Sequence, residues 1–157
     1  MLNFFKKITP KETGVIGSPV KGNIIKIEDV PDETFSTKML GDGFAVIPAD
    51  SKFVSPCDGV ISIIFETGHA YAVTSVDGAE ILVHIGIDTV QENGHGFKIL
   101  KKTGDKVLRG DVIIEADLNY LKAKYDLVTP CVITNTDDFS IIEKNLEDCN
   151  AVIKYKK

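Results

Sequence analysis

Two of the three histidines stand beside apolar, strand-like runs, where an imidazole could do chemistry. His84 lies inside the run Glu-Ile-Leu-Val-His-Ile-Gly-Ile-Asp at 80–88, and His69 follows another apolar run. Gly86 permits close approach of the backbone, so that a carbonyl could accept a hydrogen bond from one ring nitrogen of His84. The other nitrogen would then keep its lone pair, which suits a nucleophile that holds a labile phosphoryl group.

His69 and Thr67 are the residues that could assist such a nucleophile. His69 could donate a hydrogen bond to the phosphoryl oxygens, and the hydroxyl of Thr67 could orient the His69 ring. The residue pattern alone also allows another interpretation, in which each histidine is simply a packed and hydrogen-bonded residue at a strand end. The two interpretations stay open on spacing alone.

The elements around these histidines are predicted to be β-strands. Short β-branched runs alternate with Gly, Pro, Asp and Asn, which is typical of an all-β chain. We expect strands at 14–20, 23–27, 43–48, 59–65, 71–76, 80–87, 112–116 and 127–135. Sharp glycine-containing turns favour an antiparallel β-sandwich.

Asp77-Gly78 predicts the hairpin that brings the two histidines together. Because glycine accepts positive φ, an Asp-Gly pair between two apolar runs is a strong signal for a two-residue turn. That turn would place His84 opposite Tyr71 and close to His69. Helix is predicted only at 117–125, behind an Asp cap, and as a short turn that begins at Pro31.

Length and composition fit one domain. The chain has 157 residues, of which 43% are hydrophobic and 26% charged. These values are typical of a globular protein with a single core. We expect residues 13–157 to form this domain and residues 1–12 to be a flexible segment, whose amphipathic beginning could touch an anionic lipid surface.

Charge and cysteine content exclude several classes of function. A net charge of −5 without an internal basic cluster disfavours nucleic-acid binding and favours a basic protein partner. No apolar run reaches the ~18 residues of a membrane span, and no secretory signal is recognised. The three cysteines show no disulfide or zinc spacing, as expected for a cytoplasmic protein.

Three stretches resemble a known family. They are Gly-Asp-Gly at 41–43, Phe-Glu-Thr-Gly-His-Ala at 65–70 and Val-His-Ile-Gly-Ile-Asp-Thr-Val at 83–90. Together they resemble the glucose-type enzyme IIA of the bacterial phosphoenolpyruvate-dependent sugar phosphotransferase system. The resemblance extends over nearly the whole chain beyond the first dozen residues, and the octapeptide is its most specific part. It implies a single-domain β-sandwich of the barrel-sandwich-hybrid type.

The resemblance also implies roles for individual residues. In that family, the histidine that matches His84 accepts a phosphoryl group from the phosphocarrier HPr and becomes a tele-phosphohistidine. It then passes the group to a cysteine on the IIB domain of a sugar permease. The position of His69 supports transfer, and that of Thr67 orients His69. The acids that would meet an arginine of the donor are Asp32 and Asp88. Gly86 would also belong to the partner-binding surface. The apolar docking rim would comprise Phe35, Met39, Leu40, Phe65, Tyr71 and Leu82.

Other expectations concern cofactors and partners. No cofactor is expected, and zinc could bind His69 and His84 only with a further ligand from a partner. We expect a monomer that contacts the membrane at most peripherally, and a regulatory role of the unphosphorylated form stays open. The sugar that is imported is not specified by these residues.

Two other classes of protein share parts of this pattern. His84, Gly86 and Asp88 satisfy the His-x-Gly-x-Asp spacing of lysostaphin-type zinc peptidases, but no downstream His-x-His follows to complete the metal site. Biotinyl and lipoyl carriers have similar turns, but they need a lysine at the hairpin tip. The predicted tip is Asp77-Gly78, which has none.

Overall fold

The computed structural model describes residues 8–157. The expected flexible segment, 1–12, and the beginning of it that could touch a lipid surface fall largely on residues 1–7, outside the described residues. Lys11 and Glu12 are described, and their backbone N–H groups both donate to the Asp58 carboxylate at 3.1 Å. These two residues therefore join the folded domain.

Strands dominate the described part of the chain, and the helices are short. The strands are β1 (Val15–Ile16), β2 (Gly22–Lys26), β3 (Asp42–Pro48), β4 (Lys52–Val54), β5 (Gly59–Ile64), β6 (Ala70–Ser75), β7 (Glu80–His84), β8 (Phe97–Ile99), β9 (Lys106–Val107), β10 (Val112–Ala116), β11 (Thr129–Ile133), β12 (Ser140–Lys144) and β13 (Ile153–Lys156). The two α-helices are α1 (Glu33–Ser36) and α2 (Leu118–Lys122). The all-β prediction with one or two short helices is confirmed.

All strand pairs are antiparallel, and they form a β-sandwich as predicted. The largest sheet has seven strands in the order β2-β3-β11-β7-β6-β5-β9. Two three-stranded sheets, β4-β10-β8 and β1-β13-β12, complete the described architecture. Because β7 and β6 lie in the middle of the large sheet, the histidines at their ends stand on a well-supported platform.

An aspartate caps each α-helix. The cap at Asp117 is the predicted one, whereas the short turn expected to begin at Pro31 begins at Glu33, behind Asp32. Asp32 accepts a hydrogen bond from the N–H of Thr34 at 3.0 Å, and Asp117 accepts one from the N–H of Tyr120 at 3.2 Å. These side chains satisfy amide groups that lack a partner at a helix N-terminus. The contact of Phe35 with His84 shows that α1 lies beside the end of β7.

Two apolar clusters hold the fold. The main core lies inside the sandwich and includes Phe44, Phe53 and Tyr71. A smaller second cluster lies on the outer face of the large sheet, beneath α1, with Phe35 and Val132 among its buried members. Successive strand residues point to opposite faces, so that strands such as β3 and β11 contribute to both clusters.

Several boundaries differ from the predicted ones. The strand expected to continue through Ile87 ends at His84, because Gly86 adopts φ +78° and leaves the extended conformation. Five strands carry no prediction: β4, β8, β9, β12 and β13. They are two to five residues long, which leaves little local sequence signal, and β4, β8 and β9 pair with strands that are not their neighbours in sequence.

Candidate functional site

The hairpin of β6 and β7 brings the two histidines together. Ala70 pairs with His84, and the N–H of Ile85 donates to the carbonyl of His69 at 2.7 Å. The centroids of the two imidazole rings are 5.0 Å apart, and the rings are nearly perpendicular at 80°. A small group could therefore contact both rings at once.

The register of this hairpin differs by one residue from the predicted one. Tyr71 lies opposite Val83 rather than opposite His84. The loop contains three residues, 76–78, because the N–H of Gly78 donates to the carbonyl of Ser75 and Gly78 closes the loop at φ +92°. This three-residue loop ends in a left-handed residue, whereas the prediction assumed two residues.

One ring nitrogen of His84 is exposed, and the other forms a hydrogen bond with the backbone. Its Nδ1 lies 2.7 Å from the carbonyl oxygen of Gly86. A carbonyl can only accept, so Nδ1 carries the proton and the neutral ring keeps its lone pair on Nε2. Among residues 8–157, every fully buried side-chain nitrogen or oxygen has a hydrogen-bond partner. Nε2 of His84 has no partner among these residues, so it is not one of the buried atoms. Nε2 is therefore open to solvent.

Gly86 is required at its position by both conformation and space. At φ +78° a side chain is strained, and an added Cβ would lie 2.7 Å from Cγ2 of Thr89 and 3.1 Å from the carbonyl oxygen of Asp126. The glycine thus allows the chain to turn so that its own carbonyl faces His84.

His69 is held by a hydroxyl and an aromatic ring. Its Nδ1 lies 2.5 Å from Oγ1 of Thr67, and the ring of Phe65 meets it edge-on at 5.3 Å. Only 4% of His69 is exposed. The Phe35 ring packs against the His84 ring in a tilted arrangement, with centroids 5.4 Å apart. Each histidine therefore has one anchored nitrogen and one phenylalanine neighbour.

Burial keeps both histidines neutral at physiological pH. It lowers the pKa of His69 to about 4, with a further contribution from the neighbouring His84. Burial also lowers the pKa of His84 below 6.5, although the Gly86 carbonyl and the carboxylates of Asp32 and Asp88 oppose that shift. A neutral His84 has its Nε2 lone pair available.

The two predicted acids stand beside His84 on different elements. Asp32 caps α1. Asp88 is exposed, lies two residues after Gly86, and adopts the left-handed conformation at φ 62°. Both carboxylates favour the protonated form of His84, so their charges reach its ring. A cationic partner side chain would meet a negative potential here.

The apolar rim is smaller than predicted. Met39 and Phe65 are 75% and 40% exposed, while Leu40 and Leu82 are partly buried in the second cluster. Phe35 is buried in that cluster, where it anchors α1 to the sheet, and its ring packs against His84.

Tyr71 is not a rim residue, and that part of the prediction is wrong. Its side chain is fully buried in the main core, where its hydroxyl donates to the carbonyl of Val54 at 2.7 Å. The cause is the register. A shift of one residue moves a side chain to the opposite face of the sheet.

Sequence reasoning missed a backbone contribution from Asp126. The N–H of Ile87 donates to the Asp126 carbonyl at 2.9 Å, which fixes the peptide between Gly86 and Ile87. That peptide supplies the carbonyl that binds His84. Side-chain types give no signal for such a contact, because any residue at 126 offers a carbonyl.

Residues 8–157 hold neither a metal-binding cluster nor a helix that could span a membrane. Across residues 8–157, no group of three or more His, Cys, Asp and Glu side chains is arranged to hold a metal ion. None of the helices in that range has the length and apolar character needed to cross a membrane.

Comparison with protein families shows which family the chain belongs to. Residues 14–139 match the family model of the phosphoenolpyruvate-dependent sugar phosphotransferase system, EIIA 1. The chain belongs to this EIIA family. It is therefore a phosphotransferase component and a phosphocarrier in sugar uptake, and the predicted resemblance is confirmed.

Individual relatives agree with the EIIA assignment. The chain is 50% identical over 126 residues to the PTS system glucose-specific EIIA component of Haemophilus influenzae. The matched residues are 80% of this chain and 76% of that protein. The glucose permease IIA from Mycoplasma capricolum has a similar structure, with a TM-score of 0.78 and 32% identity over 91% of this chain and 89% of that one.

A further relative contains the EIIA domain within a longer protein. The PTS system glucose-specific EIICBA component of Staphylococcus saprophyticus is 44% identical over 137 residues, which are 87% of this chain but only 20% of that protein. The EIIA domain is thus one part of that relative.

Proposed function

We propose that Nε2 of His84 accepts a phosphoryl group from phospho-HPr and passes it to a cysteine of the IIB domain of a sugar permease. The hydrogen bond from Nδ1 of His84 to the Gly86 carbonyl carries this proposal, because it leaves Nε2 as the free lone pair. Family membership supplies the chemical context for that nitrogen.

Each transfer exchanges one bond to phosphorus for another. In the first step the Nε2 lone pair of His84 forms a P–N bond while the bond between phosphorus and the donor breaks. The ring gains positive charge, and Nδ1 keeps its proton, which the Gly86 carbonyl stabilises. In the second step a cysteine thiolate of IIB forms a P–S bond, the P–N bond breaks, and its electrons return to Nε2.

His69 supports the phosphoryl group in this proposal. If the hydroxyl of Thr67 donates to Nδ1 of His69, then Nε2 of His69 carries a proton that can be donated to a phosphoryl oxygen. With a pKa of about 4, His69 stays neutral and does not repel the cationic, phosphorylated His84 ring. The 5.0 Å separation of the rings suits this role.

The surface around His84 suits brief encounters with two different partners. Met39 and Phe65 expose apolar area, while Asp32 and Asp88 offer negative charge to an arginine of the donor. Such a combination favours fast association and modest affinity. The IIB partner is supported by relatives whose names, EIICBA, join the A part to B and C parts in one protein.

Several further properties belong to the same proposal. We propose a cytoplasmic monomer that needs no cofactor, and that binds zinc through His69 and His84 only when a partner adds a ligand. Glucose is the first sugar to test, because several relatives are named glucose-specific. A regulatory role of the unphosphorylated form would use the same surface.

Intact-mass measurement tests the proposal directly. The wild type is incubated with phosphoenolpyruvate, enzyme I and HPr, and is expected to gain the mass of one phosphoryl group in an acid-labile, base-stable form. His84→Ala should gain none, whereas His69→Ala should still be labelled. His95→Ala is the matched control, because His95 is exposed and belongs to another loop. A wild type that gains no mass would refute the phosphoryl-carrier role of His84.

A further inference from the structure

Glu92 is a buried carboxylate that binds three donors from one segment. Its oxygens accept from the hydroxyl of Tyr120, from the hydroxyl of Tyr125 at 2.7 Å and from Nζ of Lys124 at 3.2 Å. Only 8% of Glu92 is exposed, and hydrogen bonds from Tyr120 and Tyr125 lower its pKa to about 2. We call Glu92, Tyr120, Lys124 and Tyr125 the Glu92 clamp.

The Glu92 clamp joins two segments that both lead to His84. Glu92 ends a 3-10 turn, Thr89–Glu92, that follows Asp88 immediately. Tyr125 precedes Asp126, whose carbonyl accepts the N–H of Ile87 at 2.9 Å. The clamp therefore holds the segment that carries this carbonyl against the loop that carries Ile87.

The peptide between Gly86 and Ile87 transmits this contact to the imidazole. A peptide unit is planar and trans, so its N–H and C=O point in opposite directions. When the N–H of Ile87 is fixed on Asp126, the carbonyl of Gly86 is directed towards His84, where it lies 2.7 Å from Nδ1. The direction of that carbonyl selects the tautomer that leaves Nε2 free.

The loop requires such a tie because its backbone is unfavourable by itself. Asp88 and Asn93 both adopt left-handed conformations, at φ 62° and 55°, without being glycine. Such conformations have a cost and persist only where surrounding contacts impose them. Glu92, the clamp residue on this loop, lies between these two residues in the chain.

We propose that the Glu92 clamp positions the Gly86–Ile87 peptide and thereby keeps His84 in the reactive tautomer. Glu92 and Tyr125 are positioning residues, since neither contacts His84 directly. This inference rests on the proposed role of His84 and adds the residues that prepare it. Nothing in the short motifs around the histidines points to Glu92, Tyr120 or Tyr125.

Two variants break the clamp to different degrees, and a third controls for stability. Glu92→Gln keeps the shape but loses the charge and one acceptor oxygen, and Tyr125→Phe removes a single hydroxyl. Tyr155→Phe is the matched control, because it removes a tyrosine hydroxyl that binds the Asp77 carboxylate at 2.7 Å at the other end of the hairpin.

The main readout is ¹⁵N NMR of the His84 ring together with amide exchange at Ile87, since a general loss of stability would change neither selectively. We expect both clamp variants to populate the tautomer protonated on Nε2 and to exchange the Ile87 amide faster. In phosphorylation by phospho-HPr, kcat/KM should fall about tenfold or more, with a smaller change in KM. Tyr155→Phe should match the wild type in all three measurements.

The outcomes separate this inference from the proposed function. If the wild type is phosphorylated but both clamp variants keep the wild-type tautomer and Ile87 exchange, the role of the clamp is refuted. A slower reaction without a change of tautomer would refute it as well. If the wild type accepts no phosphoryl group, the proposed function fails, while the NMR comparison still decides whether the clamp sets the tautomer.

Discussion

The two ends of the β6–β7 hairpin use polar side chains in opposite ways. At the turn end, the hydroxyl of Ser75 donates to Asp77 at 2.6 Å, the hydroxyl of Tyr155 donates to the same carboxylate, and the N–H of Ala79 donates to Ser75. At the site end, His69 and His84 each anchor Nδ1 alone. The turn end is a closed network, and the site end leaves ring nitrogens available.

This difference shows what separates a stabilising polar cluster from a reactive one. Both ends lie on the same two strands, and both contain a left-handed glycine, Gly78 or Gly86. A closed network contributes to folding because each buried group has its partner. An open nitrogen beside a rigid anchor contributes to chemistry, because its lone pair has a fixed direction and no competing bond.

The sharpest test of this comparison is His69→Ala at the site end. We expect the variant to accept a phosphoryl group on His84 but to pass it to IIB about a hundredfold more slowly or worse, because a donor to the phosphoryl oxygens is lost. The measurement is the decay of labelled protein after mixing with a IIB domain. Asp77→Asn at the turn end serves as control, and equal decay for His69→Ala and the wild type would contradict the assigned role.

The two glycines provide a matched pair of substitutions. Gly78→Ala should reduce the free energy of unfolding by about 1–2 kcal/mol, because φ is positive but an added Cβ meets nothing within 4 Å. Gly86→Ala should cost more and slow phosphorylation of His84, because its Cβ also collides with Thr89. Urea unfolding and initial phosphorylation rates measure both effects. If the two variants lost the same free energy of unfolding and Gly86→Ala were phosphorylated at the wild-type rate, the site end would tolerate a shift of the Gly86 carbonyl.

The pH dependence of stability should also differ between the ends, through His69. Its pKa is about 4 when folded and about 6.5 when unfolded. Below pH ~6.5 the unfolded chain binds the proton more readily, so this stabilising contribution declines as pH falls and is gone near pH 4.

His69→Gln isolates that contribution. Between pH 7 and 4, the free energy of unfolding of the wild type should fall by about 1–3 kcal/mol more than that of His69→Gln. Urea unfolding at a series of pH values provides the curves, with His95→Gln as the exposed control. Parallel curves for wild type and His69→Gln would mean that His69 titrates normally in the folded protein.

The smallest expected effect is that of Tyr155→Phe on stability. Loss of the hydroxyl removes its hydrogen bond to Asp77 and should cost about 1 kcal/mol, while the contact of the ring with Phe139 is kept. Denaturant unfolding measures the cost, and phosphoryl transfer is expected to stay at the wild-type rate. Slower transfer would mean that the two ends are coupled along the hairpin.

Much of the fold was predictable because its signals are local. Alternating apolar runs predicted strands such as β3 and β10, and the aspartate at 117 predicted where α2 begins. The loop length of the hairpin was not predictable in this way, because Asp77-Gly78 suits both a two-residue and a three-residue loop. The Ser75 hydroxyl donates to Asp77 and accepts from the N–H of Ala79. These two hydrogen bonds favour the longer loop, and they appear only in the folded hairpin.

By itself, the sequence determined the chemical groups and the local conformations. It specified two histidines at strand ends, a threonine beside one of them, and a glycine at 86 that allows a left-handed backbone. Only the tertiary structure decided that Tyr71 belongs to the core and that the Asp126 carbonyl directs the Gly86 peptide towards His84. The physical reason is that strand register and backbone contacts between distant segments depend on the whole packed sheet, whereas conformational freedom and side-chain chemistry belong to single residues.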